Sequence, residues 1–329
     1  MGISFFTFQA ISLFVDETRK RLPFQYKILD VALYISFFPQ LVAGPIERAK
    51  DLVPQLRTNF VPVLSNLLPG LTLFILGLFK KVVVADTLNP FVGEIFLNHW
   101  SYAGEVLALA VFLFGIEIYC DFAGYTFMAM GIARMLGIKL SLNFFNPYGS
   151  RNPQEFWKRW HITLSAWFRD YLYIPLGGNK NKNLSLIFLI LFVFGVSGFW
   201  HGANWTYVIW GLIHGFGLVF YLLIKKIKLD VDAPLLRRVI NFFGFTATTL
   251  MVFWSWIFFR SNTVEDAVQY TTNLISGNVL AIFSIDFWDK TIPLSGTPSV
   301  NFIFAITVAA LIFIRQVMLR NISTLEWVD

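Results

Sequence analysis

Two tryptophan–histidine pairs stand 40 residues apart in this chain of 329, at Trp160–His161 and Trp200–His201. The second closes an apolar run of about 15 residues, and an ionisable group placed there is costly in lipid unless it faces a cavity or a partner. Such a residue is a functional candidate by default. A neutral imidazole in a mostly apolar cavity can take the proton of a sugar hydroxyl as that oxygen attacks an acyl carbon. It can alternatively accept the acyl group itself. Either role needs one ring nitrogen held by a neighbour and the other left open. The competing reading of a single buried histidine is a satisfied hydrogen bonder. Two such pairs, each in an unusual setting, weigh toward an acyl-transfer centre, although composition does not name the reaction.

Other chemistries find less support. No two histidines stand at i, i+3 or i+4, and the single Cys120 excludes both an internal disulfide and a cysteine-based metal site. No metal site is therefore expected, and a lone buried cysteine is a small hydrophobe more often than a nucleophile. The sequence has no G-x-S-x-G, P-loop or H-E-x-x-H motif. Glu117 and Asp121 stand four apart on one helical face; they could hold a cation or a proton, or only bond to neighbouring helices. His214 lies between Gly211 and Gly215, a spacing that lets another helix approach, and reads as an interhelical hydrogen bonder.

The elements that position these residues are membrane helices. Apolar residues make up 56% of the chain and charged ones 14%, with 37 Phe and 11 Trp, and mean hydropathy is +0.62. Soluble domains are closer to 45–50% apolar and about 25% charged. The continuous apolar runs predict an all-α, polytopic helical membrane protein, and they lack the alternation of a β-barrel. One membrane domain over residues 1–329 is expected, with the bilayer as a partner. The net charge of +6 comes from basic clusters between apolar runs, which read as orientation signals; no nucleic-acid face is expected. Met1 opens into GISFFTFQAISLF without a basic n-region, so no secretory signal is expected.

Taken in order, residues 2–15 form a segment short for a span, ended by DETRKR at Asp16–Arg21. Residues 30–42 are again short and run into AGPIER, where Pro39 and Pro45 break helix. Such irregular backbone at membrane depth is tolerated only inside protein or along a wet cavity. Spans are predicted over Asn66–Ala85 and from Glu105 through Cys120 toward Gly137, with NFFNPY (Asn143–Tyr148) a turn-rich connector. At 100° per residue, Glu155–Tyr173 gathers Phe156, Trp157, Trp160, Leu164, Trp167, Phe168 and Tyr171 on one arc, with His161 inside it; this predicts one amphipathic helix. Further spans are predicted over Leu184–Phe199, Asn204–Ile224, Val239–Phe259 and Phe302–Val317, with a capped helix at Asn262–Ile275 and a loop over residues 277–300. If the basic Lys180/Lys182 and Lys225–Lys228 loops are cytoplasmic, His201 lies at the far end of its hairpin.

Several stretches carry a family resemblance. FWKRWH (Phe156–His161), WFRDYLYIPLGGN (Trp167–Asn179) and SGFWHGANW (Ser197–Trp205) resemble the membrane-bound O-acyltransferases, most closely the alginate O-acetyltransferase branch. GISFFTFQ, FFPQLVAGPI (Phe37–Ile46), IYCDFAGYTFMAMG (Ile118–Gly131) and NFFNPY match as well. The resemblance implies a ring of tilted helices around a central funnel, and acyl transfer from a cytoplasmic thioester to an acceptor outside. Acetyl-CoA is the implied donor, with no cofactor held by the chain. His201 takes the place of the catalytic histidine and His161 that of a second recurrent polar position, with Trp157, Trp160, Trp200, Asn204 and Asp121 along the substrate channel. Two departures stand out. The chain begins at the GISFFTFQ motif, before which relatives carry further spans, and Phe127 occupies a position where an acidic residue is often found.

The resulting expectation is an O-acetyltransferase of a bacterial inner membrane acting on an exported, alginate-like polysaccharide, alone or with a periplasmic acetyltransferase. D-alanyl transfer to teichoic acid, as in a sister branch, is one alternative. A non-catalytic scaffold or acyl conduit for a periplasmic transferase is the other.

Overall fold

The computed structural model describes residues 3–41, 43–58, 64–180, 184–226, 233–278, 281–282, 284–295 and 299–319. Gly2, Val42, Lys182, Lys228, Pro298 and Arg320 lie outside these. Among the described residues there are helices and no strand. In chain order they are α1 (Ile3–Thr18), α2 (Ile28–Ser36), α3 (Ala49–Arg57), α4 (Leu64–Leu78), α5 (Asp86–Leu97) and α6 (Gly104–Met135). Then follow α7 (Pro153–Trp157), α8 (Ile162–Phe168), α9 (Leu184–His201), α10 (Trp205–Lys226) and α11 (Pro234–Arg260). The last are α12 (Val264–Ser276), α13 (Ile285–Thr291) and α14 (Ser299–Met318). Among the described residues, six helical stretches are long and apolar enough to cross a bilayer: Leu64–Leu97, α6, α9, α10, α11 and α14. The chain is a polytopic helical membrane protein, as its composition predicts.

The described chain clusters into two compact units. One comprises Met1–Val83, Tyr119–Phe145 and His161–Pro175. Its core gathers Tyr34 of α2 and Phe37 just after it, Leu52 and Val53 of α3, and Ala129 and Ala133 of α6. Within it α4 and α6 touch backbone to backbone. A Cβ on Gly124 would stand 2.7 Å from the Gly77 carbonyl oxygen, and one on Gly131 2.5 Å from that of Gly70. Where lipid is as apolar as the side chains, close backbone approach of this kind supplies the packing that holds helices together.

The other unit comprises Val84–Ile118, Asn146–Trp160 and Leu176–Asp329. Gly198 faces the Tyr207 carbonyl and Gly211 the Phe194 carbonyl, so α9 and α10 pack at backbone contact. Gly215 completes the small-residue face, with a Cβ there 3.1 Å from that of Phe194. Next to it His214 Nε2 lies 2.9 Å from Ser255 Oγ on α11. The hydroxyl of Ser255 already donates to the Val252 carbonyl at 2.7 Å, so the imidazole donates to it. The spacing predicted this interhelical bond.

Three expectations are corrected. The predicted span Asn66–Ala85 runs on through a π-helical segment, Phe79–Ala85, into α5. Pro90 lies inside α5, and a proline in a membrane helix can be absorbed by neighbouring protein and local π geometry. The amphipathic helix predicted over 155–173 is not continuous: α7 ends at Trp157, and α8 begins after His161, whose φ of 43° and ψ of 55° are left-handed. The predicted loop 277–300 contains α13, whose cap is Ser284 accepting from the Phe287 N–H at 3.2 Å; seven residues are too few to show periodicity. The capped helix after Asn262 is present as α12, where Thr263 and Asp266 cap each other's backbone amides at 3.0 and 3.2 Å.

Replacing Gly77 or Gly124 by valine pushes side-chain atoms into a facing backbone that cannot retreat, and each change is expected to destabilise by about 2 kcal/mol or more. Gly195→Ala, where the nearest heavy atom is 3.8 Å from the added carbon, should be neutral. Thermal unfolding midpoints of the detergent-solubilised variants check this; equal midpoints for Gly124→Val and Gly195→Ala would contradict it.

Candidate functional site

His161 owes its left-handed backbone to what its neighbours must reach. A non-glycine residue there costs roughly 1–3 kcal/mol and persists only where surrounding contacts impose it. Those contacts run to Asn143. The Ile162 N–H donates to the Asn143 carbonyl at 2.9 Å. The Asn143 side-chain oxygen accepts from the Thr163 N–H at 3.3 Å and the Thr163 hydroxyl at 3.0 Å. His161 Nδ1 lies 3.1 Å from the same oxygen. Since that oxygen is an acceptor for both Thr163 donors, Nδ1 carries the proton, and the tautomer is set. Thr163 Oγ1 in turn accepts from the Ile46 N–H at 3.0 Å. Segments ending at Ile46, beginning at Asn143 and ending at His161 therefore meet in one network. The imidazole itself is buried against Phe5, Phe122 and Phe144, with ring centroids 6.3, 4.6 and 6.4 Å away.

Glu47, next to Ile46, extends this network. Its carboxylate accepts from the Ser141 N–H at 2.5 Å and the Ser141 hydroxyl at 2.9 Å, while Tyr34 donates its hydroxyl to the Glu47 carbonyl at 2.8 Å. Burial pushes the carboxyl up to about 7 despite the two Ser141 bonds; nearby Asp51 raises it and Arg48 lowers it.

In the same unit Asp121 pairs with Lys81, Nζ to Oδ1 2.5 Å, and their side chains are 52% and 39% exposed. An ion pair within two apolar spans is expensive against lipid, so this face meets water or protein. Lys80 stands over the rings of Tyr119 and Phe127, 4.8 and 5.5 Å from their centroids. Phe127 thus gives the ammonium an aromatic face in place of an acidic partner.

His201 occupies the other unit. It is the last residue of α9, half-buried, and four aromatic rings surround it: Trp200 at 4.6 Å, Trp210 at 5.0 Å, Phe259 at 5.1 Å and Tyr207 at 6.3 Å. Gly202 is required beside it, because a Cβ there would stand 2.6 Å from the Tyr207 ring. Asn204 serves the turn. Its side-chain oxygen accepts from the Thr206 N–H at 3.1 Å, opening α10, and its amide donates to the Asn262 carbonyl at 2.7 Å. The turn is therefore tied to the end of α11, which supplies Phe259.

Trp157 and Trp160 sit one layer from His201. Trp157 contacts Trp210 and His214 at 5.9 and 5.0 Å, and Trp160 contacts Trp256 at 5.1 Å. Trp210 lies between Trp157 and His201 and also stacks on Trp256 at 5.9 Å. Of the residues singled out in the sequence, His201, Trp200, Trp157 and Trp160 thus share one aromatic wall, and Asn204 holds its turn. His161 and Asp121 belong to the other unit. Sequence reasoning missed Asn143, Thr163, Trp210 and Phe259; for Asn143, its place in the quoted NFFNPY stretch was the available signal. Among the described residues no group of His, Cys, Asp or Glu could hold a metal ion.

Comparison with known proteins places these two neighbourhoods in context. The profile of the membrane-bound O-acyltransferase family matches residues 6–261. The peptidoglycan O-acetyltransferase of Helicobacter pylori is 35% identical over 310 residues, 86% of this chain and 58% of that protein. The probable alginate O-acetylase of Pseudomonas aeruginosa is 39% identical over 81% of this chain and 50% of its own. The teichoic acid D-alanyltransferase of Streptococcus thermophilus is 31% identical over 67% and 56%. This chain thus spans a little over half the length of these relatives.

The raised Glu47 carboxyl sets a pH dependence. Its folded-state value lies above the ordinary 4.5, so the stability it contributes is fully present below about pH 4.5 and is lost as pH rises through about 7. The loss is on the order of 3 kcal/mol. Glu47→Gln should flatten that segment of the stability curve in thermal unfolding between pH 5 and 8. An unchanged slope would contradict the assignment.

Proposed function

Because the chain belongs to the membrane-bound O-acyltransferase family, we propose that it moves an acyl group, acetyl in the first instance, from a cytoplasmic thioester to a hydroxyl of an exported cell-surface glycan. What supports the reading most directly is His201: an imidazole at the end of an apolar helix, in an aromatic wall, inside the matched residues. In this scheme the neutral imidazole takes the proton of the glycan hydroxyl as its oxygen attacks the thioester carbonyl carbon. The carbon–sulfur bond then breaks, the departing thiolate takes that proton, and an O-acetyl ester remains. Transient acylation of the imidazole is the other route open to the same residue. Trp200, Trp210 and Phe259 exclude water, which keeps the imidazole neutral and the thioester from hydrolysis. His161, its tautomer fixed by Asn143, acts as an orienting or stabilising group.

Acetyl-CoA is the donor this reading favours, and the acceptor class follows the relatives, whose names specify alginate and peptidoglycan. Identities of 35% and 39% to these O-acetyl relatives, against 31% to a D-alanyl one, favour acetyl. D-alanyl transfer is the second reading, and a bacterial inner membrane is the location both require. A periplasmic acetyltransferase is a partner of the first reading.

The test uses the full chain in liposomes with radiolabelled acetyl-CoA and soluble glycan oligosaccharides. His201→Ala should lower ester formation by about 10²–10⁴-fold while membrane insertion and the unfolding midpoint are retained. Transfer that survives His201→Ala overturns the role of this residue. Alanine esters formed from an alanyl donor, with none from acetyl-CoA, select the second reading.

A further inference from the structure

A cavity of about 120 Å³ that neither histidine lines has Asp16, Arg21, Arg48, Lys50, Asp170 and Tyr171 among its lining residues. This is several times the roughly 30 Å³ that one water occupies in the liquid. All six residues belong to the unit that holds His161. Three are cations and two are carboxylates, and both carboxylates are engaged. Asp170 Oδ2 lies 3.3 Å from Arg48 Nη2, and its Oδ1 accepts from Arg169 Nε at 2.7 Å. Asp16 Oδ2 accepts the Tyr171 hydroxyl at 2.5 Å, and its Oδ1 stands 4.0 Å from Arg21 Nη1. Arg169 adds a fourth cation at the edge, so positive charge exceeds negative.

Arg48 is held in place yet only half used. Its guanidinium lies over the Tyr171 ring, 4.4 Å from the centroid, and its side chain is 12% exposed. Its Nη1 is buried with no hydrogen-bond partner among the described residues. A buried charged donor without an acceptor costs more than a neutral one, so this guanidinium gains from an anionic group brought beside it. Lys50, two residues on, makes no ion pair among the described residues. Arg48 is also the residue that precedes α3. The surrounding segments carry Arg19, Lys20, Arg21, Lys27, Arg48, Lys50 and Arg57, a cluster that the positive-inside rule assigns to the cytoplasm.

A fixed guanidinium fork, an exposed ammonium and a second, exposed guanidinium lining one small cavity match a group with several acceptor oxygens and more than one negative charge. A carboxylate would satisfy the fork and leave the rest. We propose that this cavity is a binding site for a phosphate ester on the cytoplasmic side. Two sources carry that chemistry: a soluble phosphorylated molecule, or the headgroup of an anionic lipid. Where the source is coenzyme A the proposal rests on the acyl-transfer reading, and where it is a lipid headgroup it stands apart from it.

The full chain, purified in detergent, is titrated with coenzyme A and with pantetheine, its phosphate-free counterpart. In parallel it is reconstituted in phosphatidylcholine nanodiscs with and without phosphatidylglycerol, and lipid retained after re-extraction is counted by native mass spectrometry. Lys50→Ala and Arg21→Ala, both exposed, are the main variants; Lys50→Glu reverses a charge, and Arg48→Lys keeps one. The expected result is that one phosphate-bearing probe binds and its affinity falls about tenfold in each alanine variant. Lys50→Glu should abolish binding, while the ligand-free unfolding midpoints stay unchanged. Coenzyme A binding with pantetheine inert identifies a soluble source; retained phosphatidylglycerol identifies a lipid. If neither probe binds, or both bind the variants as they bind the wild type, the proposal is overturned. Acetyl transfer measured on the same samples reports on the acyl-transfer reading separately.

Discussion

The side-chain oxygen of Asn143 receives three hydrogen bonds, two from Thr163 and one from His161, and the irregular half of this molecule depends on it. Backbone that is neither helix nor sheet is tolerated at membrane depth only where protein supplies every missing partner. Around His161 the chain leaves the helix, turns through a left-handed residue and re-enters a helix within five residues. The amides and hydroxyl it exposes are met by one asparagine and by the backbone at Ile46. The imidazole is thereby fixed in tautomer and orientation.

His201 is held by different means. Its position comes from packing, from two helices at backbone contact and a glycine that admits the Tyr207 ring, with Asn204 clasping the turn to the end of α11. The ring is enclosed by aromatic faces and remains half-buried. One histidine is pinned by hydrogen bonds and the other is set in an aromatic wall.

Much of this was legible in the sequence. Membrane spans announce themselves because lipid demands long apolar runs, and all six fall where hydropathy places them. The Gly211–His214–Gly215 spacing foretold both a close helix contact and a bond across it, because both are local properties of one helix face. What stayed hidden was set by partners distant in the chain. The break at His161 is imposed by Asn143, 18 residues away, against an amphipathic pattern that favours one continuous helix. The pairing of Asp121 with Lys81, and the placing of Trp210 and Phe259 beside His201, depend on which helices pack together, and periodicity carries no record of that. Helix α13 escaped because its signal is a serine cap and little else.

The most direct measurement is ester-linked acetate on surface glycan in cells whose own gene for this chain is deleted, complemented with the 329-residue chain or with its His201→Ala form. Acetate restored by the first and absent with the second is the predicted result. Acetate restored equally by both would contradict a catalytic His201, and acetate restored by neither would contradict transfer by this chain alone and leave a conduit for another transferase as the better account.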